Sequence, residues 1–320
     1  MEAALRSGRD RLRSLIDATV VATLLLIVVG GIVRVSDSGL GCGAPGSGAR
    51  GWPLCGGRLV PLVRTSMIVE YTHRFLAAIV VVATLLIAIT AVRERRLIRG
   101  AAFAFALVLA QAALGALTVE HDLHTPLVAA HLATAMLLLA VLLTLAWRAR
   151  APRPPDGEQR PPPTRALRSV VTAAATVLLM TIVAGGVIAG TERAGTTEAH
   201  QVEGAHMACG AQFPTCNGAL APFSGNENVD IQLTHRTLAL LSLLAIGALF
   251  IATRRRVPRR LRLALAALLL TQGLLGALNV WLGEHAALVV THLAVGALLW
   301  ATTAMVALLA LDGRRADNVT

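Results

Sequence analysis

Glu70, His73 and Arg74 stand within the stretch VEYTHRFLAA at 69–78 and run directly into an apolar segment. A carboxylate beside an imidazole can move protons, and an imidazole can ligate a metal. A second stretch, IQLTHRTLAL at 231–240, repeats Thr-His-Arg around His235 and Arg236 but places Gln232 where Glu70 stood. Two more histidines, His131 and His292, hold matching places in LVAAHLATAMLLLA at 127–140 and LVVTHLAVGALLWA at 288–301. Two imidazoles that face each other from different helices of a bundle supply the axial ligands of a heme. A single histidine in an apolar segment can equally be a packed, hydrogen-bonded residue. Four of them, paired by position and duplicated, point to metal ligation. Zinc and copper fit less well, because neither half brings a clear third ligand to the same depth.

The elements that must position these groups are membrane helices. Of the 320 residues, 55% are hydrophobic, well above an ordinary soluble domain. Eight apolar runs lie at about 15–34, 71–92, 100–119, 126–147, 169–190, 233–253, 261–282 and 286–311. Each reaches or approaches the roughly 20 residues that a helix needs to cross the hydrocarbon core. The sixth has polar flanks, which suits a tilted or shallow span. His73 opens the second span, and His131 lies about one and a half turns into the fourth. The first run follows a basic tail but has a counterpart in the fifth and lacks a small-residue cleavage site, so it reads as a span and not a signal peptide.

The arginines set the expected orientation. All 29 basic residues are Arg, and 22 of them fall on one side of an eight-span chain: in the N-terminal tail, at 93–99, 148–168 and 254–262, and in the C-terminal tail. That bias places both termini in the cytoplasm. The net charge of +11 therefore reflects topology and contact with anionic lipids. No basic stripe with interleaved aromatics is present, and nucleic acid is not an expected partner.

The chain reads as one design used twice. RARAPRPPDGEQRPPPTR at 148–165 is a Pro-rich, charged linker. On either side VVGGIV at 28–33 matches VAGGVI at 183–188, and AQAALGALTV at 110–119 matches TQGLLGALNV at 271–280. The expected fold is all-α: eight transmembrane helices as two tandem pseudo-symmetric four-helix bundles, with boundaries at 1–147, 148–168 and 169–320. Gly30, Gly31, Gly115, Gly185, Gly186 and Gly276 are small residues that let neighbouring helices approach.

Other polar residues are placed by the same pattern. Arg74 and Arg236 each follow a candidate ligand, where a guanidinium can pair with a heme propionate or reach lipid headgroups. Arg34 ends the first span where the second half has Ala189. His124 and His285 each precede a span histidine by seven residues, too far to share its iron, and suit the outer interface. His121, His200 and His206 fall in loops and read as solvated. Cys42 and Cys55 share one external loop, and Cys209 and Cys216 another, so one disulfide within each loop is the natural pairing on the oxidising side. Glu70 lies one turn outward from His73 on one helical face. It can simply pair with Arg74 or cap the helix, yet a carboxylate beside an apolar site is costly unless paired or functional.

Taken together, E-x-x-H-R at 70–74, Q-x-x-H-R at 232–236, the histidines of the fourth and eighth spans, the tandem halves and the loop cysteine pairs resemble the heme A synthase family over essentially the whole chain. The cysteine pairs mark one bacterial branch of that family. The resemblance implies a substrate heme O, and product heme A, held between His73 and His131 in the first half, with Glu70 catalytic. It implies a heme b between His235 and His292 in the second. The implied reaction oxidises a ring methyl to a formyl group for cytochrome oxidase, with oxygen from water or dioxygen. It further implies a bacterial plasma-membrane protein with sites near the outer face. Heme O would come from a heme O synthase, and an unidentified electron-transfer partner would be needed. The interval between Cys42 and Cys55 is longer than the family's usual one. The rival reading is a di-heme b-type, quinone-linked electron-transfer protein, which explains four histidines but not the Glu70–Gln232 difference. The sequence leaves oligomeric state open, a homo-oligomer included.

Overall fold

Eight α-helices account for every apolar run in the computed structural model, which describes residues 2–60, 64–150, 161–191, 204–223, 225–283 and 285–312. They are α1 (Glu2–Val35), α2 (Thr65–Arg93), α3 (Ile98–Glu120), α4 (Thr125–Arg150), α5 (Arg165–Gly190), α6 (Glu227–Ala252), α7 (Arg259–Trp281) and α8 (Ala286–Leu311). All eight are long and apolar enough to cross a membrane, and no strand occurs among the described residues.

Several helices begin earlier than the apolar runs suggest, α1 by the most, from Glu2 against 15. The second and sixth runs were expected from 71 and 233, whereas α2 starts at Thr65 and α6 at Glu227. Hydropathy misses a polar first turn, because a helix needs backbone hydrogen bonds and not apolarity. In α6 the turn is capped by Asn226, whose Oδ1 accepts from Val229 N at 3.3 Å, with Glu227 and Asp230 favourably placed at the helix N-terminus. The sixth span is therefore 26 residues long, more than the roughly 20 that cross the hydrocarbon core. Glu70 and His73 accordingly lie inside α2 and not at its start.

Within each half the helices close a ring: α1 packs on α2 and α4, and α3 on α2 and α4; α5 packs on α6 and α8, and α7 on α6 and α8. The halves meet through α1, α4, α5 and α8. Lipid offers no hydrophobic drive between helices, so the joint needs close packing and interhelical hydrogen bonds. Both are present. Trp300 Nε1 donates to Met136 O at 2.8 Å, Thr125 Oγ1 to Gly190 O at 2.6 Å, and Arg34 Nε to Ala189 O at 2.7 Å. Gly190 lies so close to Thr125 that a β-carbon there would stand 2.8 Å from the Thr125 Cα. Arg34, which has no cationic counterpart in the second half, thus serves the joint. Hydroxyls within the spans satisfy themselves on the preceding turn, as Thr84 does on Val80 O and Thr303 on Leu299 O. The start of the linker, at 151–160, lies outside the described residues; its end is tied down where Arg256 Nη2 donates to Pro161 O at 2.6 Å.

Candidate heme sites and the disulfide loops above them

All four candidate ligands project from the second helix of a helical hairpin onto a glycine of the first. A β-carbon built on Gly30 of α1 would stand 3.2 Å from His73 Cε1. The corresponding distances are 3.1 Å from Gly115 to His131, 3.2 Å from Gly185 to His235 and 3.3 Å from Gly276 to His292. His73 on α2 and His131 on α4 belong to the ring of the first half, and His235 on α6 and His292 on α8 to that of the second. Each pair comes from opposite corners, α2 with α4 and α6 with α8.

The ring nitrogens are placed differently in the two halves. His235 Nδ1 lies 3.0 Å from Thr181 O, which fixes Nδ1 as the protonated nitrogen and frees Nε2. The Nδ1 atoms of His73, His131 and His292 are buried without a hydrogen-bond partner among the described residues. Gln111 and Gln272, inside the repeats at 110–119 and 271–280, attend the second histidine of each pair. Gln111 Nε2 donates to His131 O at 2.9 Å, and Gln272 Nε2 lies 3.1 Å from His292 Nε2. Both glutamine Oε1 atoms are buried with no partner among the described residues. Buried polar atoms of this kind are costly in a closed core. Their clustering around paired imidazoles, with glycines that leave the rings room, fits a heme. Among the described residues no three His, Cys, Asp or Glu side chains gather as for a metal ion.

Glu70 and Gln232 are equally enclosed, at 3% and 5% exposure, so burial does not separate them. Hydrogen-bond polarity does. Glu70 accepts from Cys42 N at 2.6 Å through Oε2 and from Arg74 Nη2 through Oε1. Gln232 instead donates from Nε2 to His206 O at 3.1 Å. Each reaches the loop that carries the disulfide of its half. His206 was expected to be solvated; it is buried, because the short turn Ala205–Met207 tucks that loop against α6. His121, His124 and His285 are exposed, and His200 lies outside the described residues.

Both disulfides, Cys42–Cys55 and Cys209–Cys216, are formed. The loops repeat a motif that the helix comparison overlooked: WPLCGGRLVP at 52–61 and FPTCNGALAP at 213–222 share aromatic-Pro-x-Cys-x-Gly-x-Leu-x-Pro. Its physical content is a tight turn. Cys55 bridges to Arg58 and Cys216 to Ala219, and the central residues Gly56, Gly57, Asn217 and Gly218 all take positive φ, as a type I′ turn requires. Arg74 and Arg236 lock these turns down. Arg74 Nη1 donates to Gly51 O and to Leu54 O at 3.1 Å, and Arg236 Nη1 to Thr215 O at 3.0 Å. Leu54 and Thr215 each precede the second cysteine of their loop. The extra residues between Cys42 and Cys55 thus supply the additional carbonyl of Gly51. Arg236 keeps Nε and Nη2 buried without hydrogen-bond partners among the described residues and packs over the Phe213 ring at 5.6 Å.

A sequence profile of the family COX15-CtaA, described as cytochrome oxidase assembly protein, matches residues 13–304. The chain belongs to the COX15-CtaA family. Relatives within reach include the heme A synthase of Symbiobacterium thermophilum, 30% identical over 78% of this chain and 77% of that one. That of Shouchella clausii is 29% identical over 73% of each, and that of Halalkalibacterium halodurans 26% over 89% and 92%. A protoheme IX farnesyltransferase 1 of Natronomonas pharaonis is 36% identical over 152 residues, 47% of this chain and 31% of that one. As a COX15-CtaA protein with eight apolar helices, the chain is a multi-pass membrane protein.

Proposed function

We propose that this chain is a heme A synthase: it oxidises a ring methyl of heme O to a formyl group, with heme O in the first half and a resident heme b in the second. The observation that carries the reading is Glu70. Among the described residues it is the only buried carboxylate, it lies one turn from His73, and its equivalent in the second half is the non-titrating Gln232. The family and the names of the relatives favour this over simple electron transfer.

His73 and His131 would hold the substrate, and His235 and His292 the heme b. Bound heme would supply the iron and, in the first half, the methyl carbon to be oxidised. The division of labour draws support from Thr181, whose carbonyl orients His235 as partners behind metal-bound imidazoles commonly do. Among the described residues neither histidine of the first half has such a partner, and neither does His292, so the contrast rests on His235 alone. In the second half Gln272 must yield His292 Nε2 when iron binds there. Oxidising a methyl releases protons, and Glu70 is the group that can take them up. Arg74 offsets its charge, and the Cys42 amide holds Oε2 in place. Arg236, with Nε and Nη2 uncommitted, is the better placed of the two arginines for a propionate; Arg74 is occupied by its loop and Glu70.

The arginine bias supports cytoplasmic termini, a bacterial plasma-membrane location and sites near the outer face. A supplier of farnesylated heme is the expected upstream partner, and the segment shared with a protoheme farnesyltransferase, about as long as one four-helix half, supports that pairing. The test is pigment extraction from the purified protein. Heme O or heme A beside heme b is expected; heme b alone, in cells that make heme O, would overturn the assignment.

A further inference from the structure

We propose that Gly30, Gly115, Gly185 and Gly276 are positioning residues for the four imidazoles, each leaving, by its lack of a side chain, the space in which the Cε1 edge of one axial ligand sits; this rests on the heme-ligand reading above. The contact recurs four times with the same ring atom and nearly the same distance, between 3.1 and 3.3 Å from a β-carbon built on the glycine. Four repetitions on four different helix pairs are not a by-product of one tight crossing.

The neighbouring glycines separate this role from ordinary helix packing. Gly31 and Gly186 follow Gly30 and Gly185 directly, yet they face the joint between the halves. A β-carbon on Gly31 would stand 2.6 Å from Leu293 Cδ2, and one on Gly186 would stand 3.1 Å from Leu132 Cδ2. In each Gly-Gly pair, then, one residue attends a histidine and the other the joint. Gly273, one turn from Gly276 on α7, has nothing within 4 Å of a built β-carbon.

The physical consequence is directional. A Cβ contact of 3.1–3.3 Å forces the partner to move by a few tenths of an ångström. An imidazole pinned between its own helix and the facing one can move only by tilting or by retreating toward the bundle axis. Either change alters the angle between paired ring planes and the iron–nitrogen distance. In His235 it also breaks the Nδ1 contact with Thr181 O, because Thr181 lies one turn before Gly185 on the same helix.

The experiment uses full-length protein purified with its heme. Gly185→Ala and Gly276→Ala are compared with Gly273→Ala and His292→Ala by heme-to-protein ratio and by electron paramagnetic resonance of the oxidised low-spin heme b. The two positioning variants should shift the low-spin signal or lose at least half of heme b while the first-half heme is kept. Gly273→Ala should leave both unchanged. Wild-type signal and heme b content in Gly185→Ala and Gly276→Ala would overturn the proposal. So would equal loss of both hemes, which would mark general packing. Retention of heme b by His292→Ala would instead sink the ligand assignment beneath it.

Discussion

Arg34 donates from Nε to the carbonyl of Ala189 at 2.7 Å, and the two residues hold equivalent positions in the two halves. Position 34 of VVGGIVR corresponds to position 189 of VAGGVIA. A position that meets its own copy across a pseudo-axis cannot carry the same bulky cation twice. One copy supplies the guanidinium and the other, cut back to alanine, supplies backbone. Arg34→Ala should loosen the joint, with a loss of about 1.5–3 kcal/mol, the usual scale for a charged hydrogen bond. The fraction of protein surviving heating in detergent, followed by size exclusion, checks this; unchanged survival would show that the joint does not depend on it.

Glu70→Gln should leave a folded, heme-containing protein that accumulates heme O or a partly oxidised product. Positioned acid–base groups contribute about a hundredfold to ten-thousandfold in rate. Because Glu70 also accepts from Cys42 N, thiol labelling must accompany heme chromatography. An intact Cys42–Cys55 bridge with oxidation lost supports chemistry at Glu70. Near-normal heme A would reduce it to a loop anchor.

His235→Ala or His292→Ala should deplete heme b, and His73→Ala or His131→Ala should disturb the substrate heme. Optical spectra and extracted pigments distinguish them. Equal loss of one heme from all four variants would contradict the division between halves.

Arg74→Ala and Arg236→Ala should each release the carbonyl that precedes the second loop cysteine and the turn that follows it. Faster reduction of Cys42–Cys55 in the first variant, and of Cys209–Cys216 in the second, is the expected pattern under timed thiol trapping. Arg74→Lys should rescue little, since one ammonium cannot span Gly51, Leu54 and Glu70 as a planar fork does. Unchanged reduction rates would remove the arginines from the loops' support.

A reporter fused within 151–160 should act only in the cytoplasm, because 22 arginines lie on that side of the eight-span chain. Activity on the opposite side would invert the topology.

The eight spans were legible because apolar length is a one-dimensional signal. The starts of α2 and α6 were not, since Thr65 and Glu227 open polar turns that hydropathy passes over. His206 was misjudged because burial of a loop residue depends on where the loop lands. The roles of Arg74 and Arg236 were hidden for the same reason: a guanidinium that could meet a propionate or a headgroup met a neighbouring carbonyl. The repeated turn motif at 52–61 and 213–222 was available in the letters, but the comparison had followed helices. The glycines were recognised as small without their partners, because contact between α1 and α2, or α7 and α8, is a fact of packing.

The adjacent glycines of α1 and α5 also act as a key. Successive residues on an α-helix point about 100° apart, so Gly30 and Gly31 aim at His73 and at Leu293 from one short segment. A helix that rolled to relieve one contact would drive its flank into the other. The rotation of α1 about its own axis is thereby indexed at once to a ligand in its own half and to a side chain of the opposite half. The same holds for α5 between His235 and Leu132. A shift of His73 or His235 would thus be felt at the joint as well as within its own half.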